Sequence, residues 1–347
     1  MKAKPRQLSP MNRPHASRGE SPAQADSGPF GAAGAFSGAA CVRGGSIPGL
    51  DDAPAFSIWQ HDPSPVPVVI AVPHAGRSYP PDLVSRMRQP AYSAPRLEDR
   101  LVDLVGKAVA ARTGAALLVA HAPRAMIDLN RASDDVDWEM IGGRPIEPSG
   151  APVTPSTARR ARSGLGLVPR RLPGLGELWK WPIPHEELSA RIAGVHEPYH
   201  AALTRMLEET RARWGAVLLI DLHSMPPLPA RAGEPVAEFV VGDRFGVACD
   251  GALVAEAFAA LGGARRLAAH NRPYAGGYVL ERHARRHLGV NCLQLEIDRR
   301  TYLDPALAEP GPGLDATVDV VSALVQRMAI AVADLGRERG HWRAAAE

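Results

Sequence analysis

Two histidines directly follow apolar runs that look like buried strands. His74 comes after VPVVIAVP, and His223 ends AVLLIDLH. Neutral imidazole suits Zn²⁺, and a catalytic zinc takes three protein ligands plus water. A carboxylate is the usual complement to two histidines. The run Leu97–Asp103 (LEDRLVD) offers three acids at the start of an amphipathic segment. Asp99 or Glu98 is the candidate third ligand, with Asp103, one turn beyond Asp99, as a supporting or capping group. Acids in a first helical turn also complement the helix dipole without any metal. The remaining histidines fit surface or satisfied core positions; His15, His61 and His341 lie near the termini, and His283 and His287 sit among arginines.

A second constellation is Asp128-Leu129-Asn130-Arg131. A guanidinium can fork onto a carboxylate with two parallel hydrogen bonds, so Arg131 is a candidate substrate clamp, with Asn130 adding directional donors. The plainer alternative is that Arg131 pairs with Asp128 at a strand end. Arg124 and Arg170 are further candidates for an anionic substrate. Asn291–Asp298 (NCLQLEID) alternates strictly, placing Gln294, Glu296 and Asp298 on one side and Leu293, Leu295 and Ile297 on the other. A carboxylate within an apolar strand is costly unless paired or functional. Glu296 is therefore the candidate general base, against the alternative of a strand-edge ion pair with Arg299 or Arg300.

These residues need a scaffold, and the apolar patterning supplies one. Strands are expected at Val66–Val72, Ala115–Ala120, Val217–Leu222, Ala237–Gly242 and Val290–Ile297, with Ala125–Leu129 as a further candidate. Helices are expected at Arg96–Arg112, at Glu186–Arg213 with a break at Pro198, at Asp250–Leu261 and at Ala316–Leu335. Alternating strands and helices predict an α/β fold, a mostly parallel or mixed central sheet with helices on both faces. Ligands then bind beyond the carboxyl ends of the strands, where His74 and His223 lie. Residues 1–50, rich in Pro, Gly, Ser, Ala and Arg, read as a disordered tail, with Met11 an alternative start. Residues 51–347 read as a single catalytic domain with an irregular insertion around 141–184.

Bulk composition narrows the classes. The formal net charge is only +3 with 40 basic and 37 acidic residues, which gives little support to nucleic-acid or membrane binding, since those need a clustered basic face. No apolar run reaches the roughly 18 residues of a membrane span. Cys41, Cys249 and Cys292 lack CxxC spacing, which argues against a disulfide framework and for a reducing, cytoplasmic setting. Gly28–Cys41 faintly resembles a lipoprotein signal, but its apolar part is weak and a mixed-charge segment precedes it. Two other classes compete. Ser224 could serve a serine hydrolase, although no GxSxG elbow is present. The arginines of Arg159–Arg171 could serve a non-enzymatic anion- or nucleic-acid-binding protein, with steeply salt-dependent binding.

Taken together, VPHAGRSYP, LEDRLVD, RAMIDLNRA, EPYHAAL, LLIDLHSMPP, VGDRFG, NRPYAGGYV and LQLEIDRRTYLD occur in order from about residue 72 to 304. This order resembles the N-formylglutamate amidohydrolase family, zinc hydrolases related in fold to the carboxypeptidase A and aspartoacylase group. The resemblance implies a zinc carboxypeptidase-like fold, one Zn²⁺ or another first-row divalent ion, and hydrolysis of N-formylglutamate to glutamate and formate, a step of histidine catabolism. Its alternative is a zinc amidase acting on peptides or other N-acyl amino acids. It implies His74 and His223 as metal ligands, Asn130 and Arg131 as binders of a substrate carboxylate, and Glu296 as the catalytic carboxylate. The partner is then a small anionic N-acyl amino acid. One departure stands out: the wider group has Glu three residues after its first His, and this chain has Arg77. LEDRLVD is the natural source of the missing acid.

Overall fold

Alternate residues of two neighbouring strands change character along their length, and that change locates the site. The computed structural model describes residues 36, 38–142, 161, 163–172, 174–229 and 235–346. In chain order the strands are β1 (Ala40–Gly44), β2 (Phe56–Gln60), β3 (Val68–Val72), β4 (Ala116–Ala120), the two-residue β5 (Ile141–Gly142), β6 (Arg171–Leu172), β7 (Gly176–Glu177) and β8 (Ile183–Pro184), then β9 (Val217–Met225), β10 (Phe239–Gly242), β11 (Ala268–His270) and β12 (Val290–Asp298). The helices are α1 (Pro81–Arg86), α2 (Pro90–Leu97), α3 (Val102–Thr113), α4 (His185–Arg191), α5 (Glu197–Trp214), α6 (Gly251–Gly263), α7 (Tyr278–His283) and α8 (Leu314–Ala346).

Eight strands form one mixed sheet in the order β1-β2-β4-β3-β9-β12-β10-β11. The central four, β4-β3-β9-β12, run parallel. Both faces are covered, as buried parallel strands require. One face packs Val69, Ala71, Leu118, Val217 and Leu219 against Tyr199, Leu203 and Met206 of α5. The other packs Ile70, Leu218, Ile220 and Leu295 against Val105 of α3, Leu253 of α6 and Val325 of α8. By length and composition α8 could cross a bilayer, yet its Val318, Val321, Leu324 and Met328 are spent on this second core. On the α5 face, Val217 and Leu219 give way to Asp221 and His223, and Cys292 gives way to Gln294 and Glu296. The parallel register sets Asp221 beside Gln294 and His223 beside Glu296.

Several expectations need correction. The tail expected over 1–50 gives way by Ala40: β1 pairs antiparallel with β2, and Ile47 is buried. The single helix expected over Arg96–Arg112 is two, α2 and α3, separated by an irregular link in which Leu101 takes a left-handed φ of 56°. Ala125–Leu129 is not a strand but a buried loop; Asp128 N donates to Leu167 O and Arg191 donates to Met126 O, replacing ladder partners. Pro198 does not break its helix. It occupies the first turn of α5 behind a π-turn at Ile192–His196, and the Gly194 carbonyl accepts from Ser46 N instead. The segment expected to be an irregular insertion buries Leu167, Val168, Trp179 and Ile183 against the α5 face; its residues 143–160 lie outside the described residues.

Candidate active site

Three side chains converge at the carboxyl end of the sheet. His74 lies just after β3, His223 within β9, and Asp99 in the link between α2 and α3. One ligand-capable atom from each lies within 4.8 Å of the others, and all three residues are buried. Asp99 Oδ2 is 2.8 Å from His223 Nδ1 and 3.6 Å from His74 Nδ1. The opposite ring nitrogens are held from behind: His74 Nε2 donates to Asp128 Oδ1 at 2.7 Å, and His223 Nε2 donates to Asp221 Oδ2 at 2.9 Å. Both imidazoles therefore turn Nδ1 to the centre, with a carboxylate fixing the ring, the support that metal-ligating histidines generally have.

The donor set fits a cation. His74 Nδ1 is buried without a hydrogen-bond partner, and an orphaned buried nitrogen is costly unless something else satisfies it. Burial disfavours charge on His223, but Asp221 and Asp99 against its two nitrogens raise its pKa well above the usual imidazole value. Burial likewise opposes ionisation of Asp99, yet His223 and His74 hold it well below the carboxylate range. The centre is built to favour positive charge between two rings and a carboxylate.

Glu98 is directed elsewhere. Its oxygens accept from Tyr79 Oη at 3.0 Å and from Arg100 at 3.1 Å. Asp103 is not at the centre either: it takes both terminal nitrogens of Arg77 and also Lys107. Arg77 is thus fixed on α3, and the link before α3 supplies Asp99. Asp99 N donates to His74 O at 2.9 Å, which ties that link to the end of β3. Gly76 allows a close backbone crossing there, since a Cβ would lie 2.0 Å from Ala122 O.

A cavity of about 250 Å³ opens over these groups, lined also by Arg124, Asn130, Arg131, Tyr274, Glu296 and Arg299. Glu296 accepts from Gln294 Nε2 at 2.8 Å. The alternative ion pairs for Glu296 are made by other acids, since Arg300 is on Asp298 and Arg299 is 3.6 Å from Asp99. Burial, with Asp99 and Asp221 adding to it against the opposing pull of His223 and Arg124, pushes the Glu296 carboxyl up to about 7. Such a group can both take and return a proton near neutrality.

Asn130 is clamped in one orientation. Its Oδ1 accepts from Val279 N at 2.9 Å, which turns Nδ2 toward His223 and Gln294. Gly277 makes room, because a Cβ there would meet Asn130 Oδ1 at 2.4 Å. Arg131 has Nε on Leu165 O and Nη1 on Asn130 O, which fixes its guanidinium at the cavity wall. Asp128 accepts from Arg124 Nε at 2.9 Å as well as from His74. Arg124 thus lends the cavity charge rather than an open fork. Arg170 is bound by Asp137, Glu139 and Glu177 and does not line the cavity. Ser224 Oγ accepts from Arg299 Nε at 3.1 Å.

Asp221 and Tyr274 were not singled out from the sequence, and Arg299 was named there only as an alternative ion-pair partner for Glu296. Asp221 was legible, two residues before His223 on the same strand face. Tyr274 reaches the cavity through loop geometry and Arg299 from the short 3₁₀ turn Arg299–Thr301 that follows β12, for which the sequence carries no periodic signal.

The comparisons with known proteins agree with one another. The family model described as N-formylglutamate amidohydrolase matches residues 66–303. N-formylglutamate deformylase of Pseudomonas aeruginosa is 27% identical over 259 residues, covering 69% of this chain and 83% of that one. That of Pseudomonas putida is 26% identical over 244 residues, covering 69% and 82%. The crystal structure of N-formylglutamate amidohydrolase from Ralstonia eutropha JMP134 superposes with a TM-score of 0.71 at 31% identity, covering 80% of this chain and 98% of that one.

Proposed function

The chain belongs to the N-formylglutamate amidohydrolase family, and from that premise we propose that it hydrolyses the formamide of an N-formyl acidic amino acid, N-formylglutamate giving glutamate and formate. The observation that carries this proposal is the sharing of one cavity by His74, Asp99 and His223 with Glu296, Asn130 and Arg131. His74, Asp99 and His223 would hold a divalent cation, and two imidazoles with one carboxylate suit zinc. When bound, such an ion supplies Lewis acidity, lowering the pKa of water to about 7 and polarising an acyl oxygen.

The chain's own residues do the rest. Glu296 accepts the proton of the attacking water as the new C–O bond forms. It then delivers that proton to the departing amine nitrogen as the C–N bond breaks. Asn130 Nδ2 and the guanidinium of Arg131 bind a substrate carboxylate, and their fixed orientation sets the formyl carbon against the attacking oxygen. Arg124, positive beside Asp128, stabilises developing negative charge on the acyl oxygen.

Arg131→Lys tests the substrate class. Lys offers a point charge in place of a fork held on two carbonyls. KM for N-formylglutamate should rise about tenfold or more, with kcat changed far less. Formate release over a concentration series reads this directly. An unchanged KM would remove Arg131 from substrate binding. Equal wild-type activity on N-formylglutamate and N-formylalanine would rule out the acidic substrate.

A further inference from the structure

The HEPYH segment (196–200) contributes nothing to the cavity wall, yet its His196, Tyr199 and His200 are buried directly behind it. His196, the last residue of the π-turn, and His200, one turn later on α5, are both buried. His200 Nε2 lies 3.0 Å from Leu129 O, and His196 Nε2 lies 2.9 Å from Arg131 O. A carbonyl oxygen only accepts, so each Nε2 carries a proton. His200 Nδ1 is then an acceptor, and His283 Nε2 donates to it at 3.0 Å. Burial lowers the pKa of all three rings, so they are neutral hydrogen-bonding groups. Tyr278 packs against both, with ring centroids 5.9 Å from His196 and 5.3 Å from His200.

The two carbonyls bracket the dipeptide Asn130-Arg131. The peptide plane before Asn130 is fixed twice, by His200 on Leu129 O and by Asn130 N donating to Asp128 Oδ1 at 2.8 Å. The plane after Arg131 is fixed by His196. This loop lacks ladder partners of its own, so donors from the π-turn and α5 do the work that a neighbouring strand would do.

We propose that His196 and His200 are positioning residues for the substrate-carboxylate subsite: by holding the Leu129 and Arg131 carbonyls they set where Asn130 Nδ2 and the Arg131 guanidinium point. This rests on the assignment of Asn130 and Arg131 to substrate binding. The two residues act on the binding of charged substrate rather than on the bond-breaking groups, because Glu296, His74 and His223 stand on other elements.

The test uses His196→Gln, His200→Gln and His200→Ala in the full chain, each checked for wild-type circular dichroism. With His200→Ala, kcat/KM for N-formylglutamate should fall about 10- to 100-fold, mainly through KM. The same constant for N-formylalaninamide, which carries no carboxylate, should change less than about threefold, since nothing in that substrate uses the bracketed pair. Gln retains an N–H donor, and both Gln variants should recover most of the loss. Equal losses on the two substrates, or no loss, would overturn the proposal. Hydrogen exchange separates this from failure of the substrate assignment. Amides of residues 128–132 should exchange faster in His200→Ala than in wild type, with β12 unchanged, whatever substrate the enzyme prefers. Unaltered exchange there would overturn the proposal by itself.

Discussion

Glu296→Gln should lower turnover about 10²- to 10⁴-fold while leaving KM and bound metal close to wild type. Gln has the same shape and preserves contact with Gln294, so packing in β12 changes little. What it loses is the ability to accept and return a proton. Glu296 is buried beside His223 in the parallel register, and its carboxyl is pushed up to about 7. No other carboxylate at the centre is equally available: Asp99 is drawn onto the two histidines, Asp128 is shared by His74 and Arg124, and Asp221 supports His223. Steady-state formate release, with metal content measured on the same preparation, checks this. Near-normal turnover would remove Glu296 from the mechanism, and loss of metal together with activity would make it a ligand instead.

Asp99→Ala should release the metal, whereas Glu98→Gln should retain it. The two acids are adjacent in sequence, yet their side chains part because the link between α2 and α3 is extended at Glu98 and left-handed at Leu101. Asp99 turns to the histidines and Glu98 to Tyr79 and Arg100. Removing Asp99 should weaken metal binding by more than the ~10- to 100-fold typical of losing an outer supporting group. Glu98→Gln can keep a hydrogen bond to Tyr79 and should cost stability more than affinity. Metal titration of the two variants decides between them. Release from Glu98→Gln with retention in Asp99→Ala would reverse the assignment.

The sequence displayed some of this and concealed the rest for identifiable reasons. His223 and Glu296 were legible because a strict two-residue alternation sends every second side chain to one face, and both strands are continuous in that pattern. His74 was legible from the apolar strand before it. The choice between Asp99 and Glu98 was not, since a helical reading of Arg96–Arg112 puts both acids on one first turn; the chain breaks that helix instead. Ala125–Leu129 has a strand's composition but a loop's hydrogen bonds, because its partners are Leu167 and Arg191, far away in sequence. β1 was hidden by the low-complexity stretch before it. The pairing of Asp128 stayed open in the sequence, where Arg131 is the nearer cation; Arg124 lies four residues back at the turn that closes on it.

The most direct test of the metal-centred account is formate release from N-formylglutamate by the purified chain before chelation, after chelation, and after one equivalent of zinc is restored. The account predicts about one zinc per chain, activity abolished by chelation, and activity recovered on re-addition in the wild type but not in Asp99→Ala. Full activity in a chain stripped of metal would contradict it.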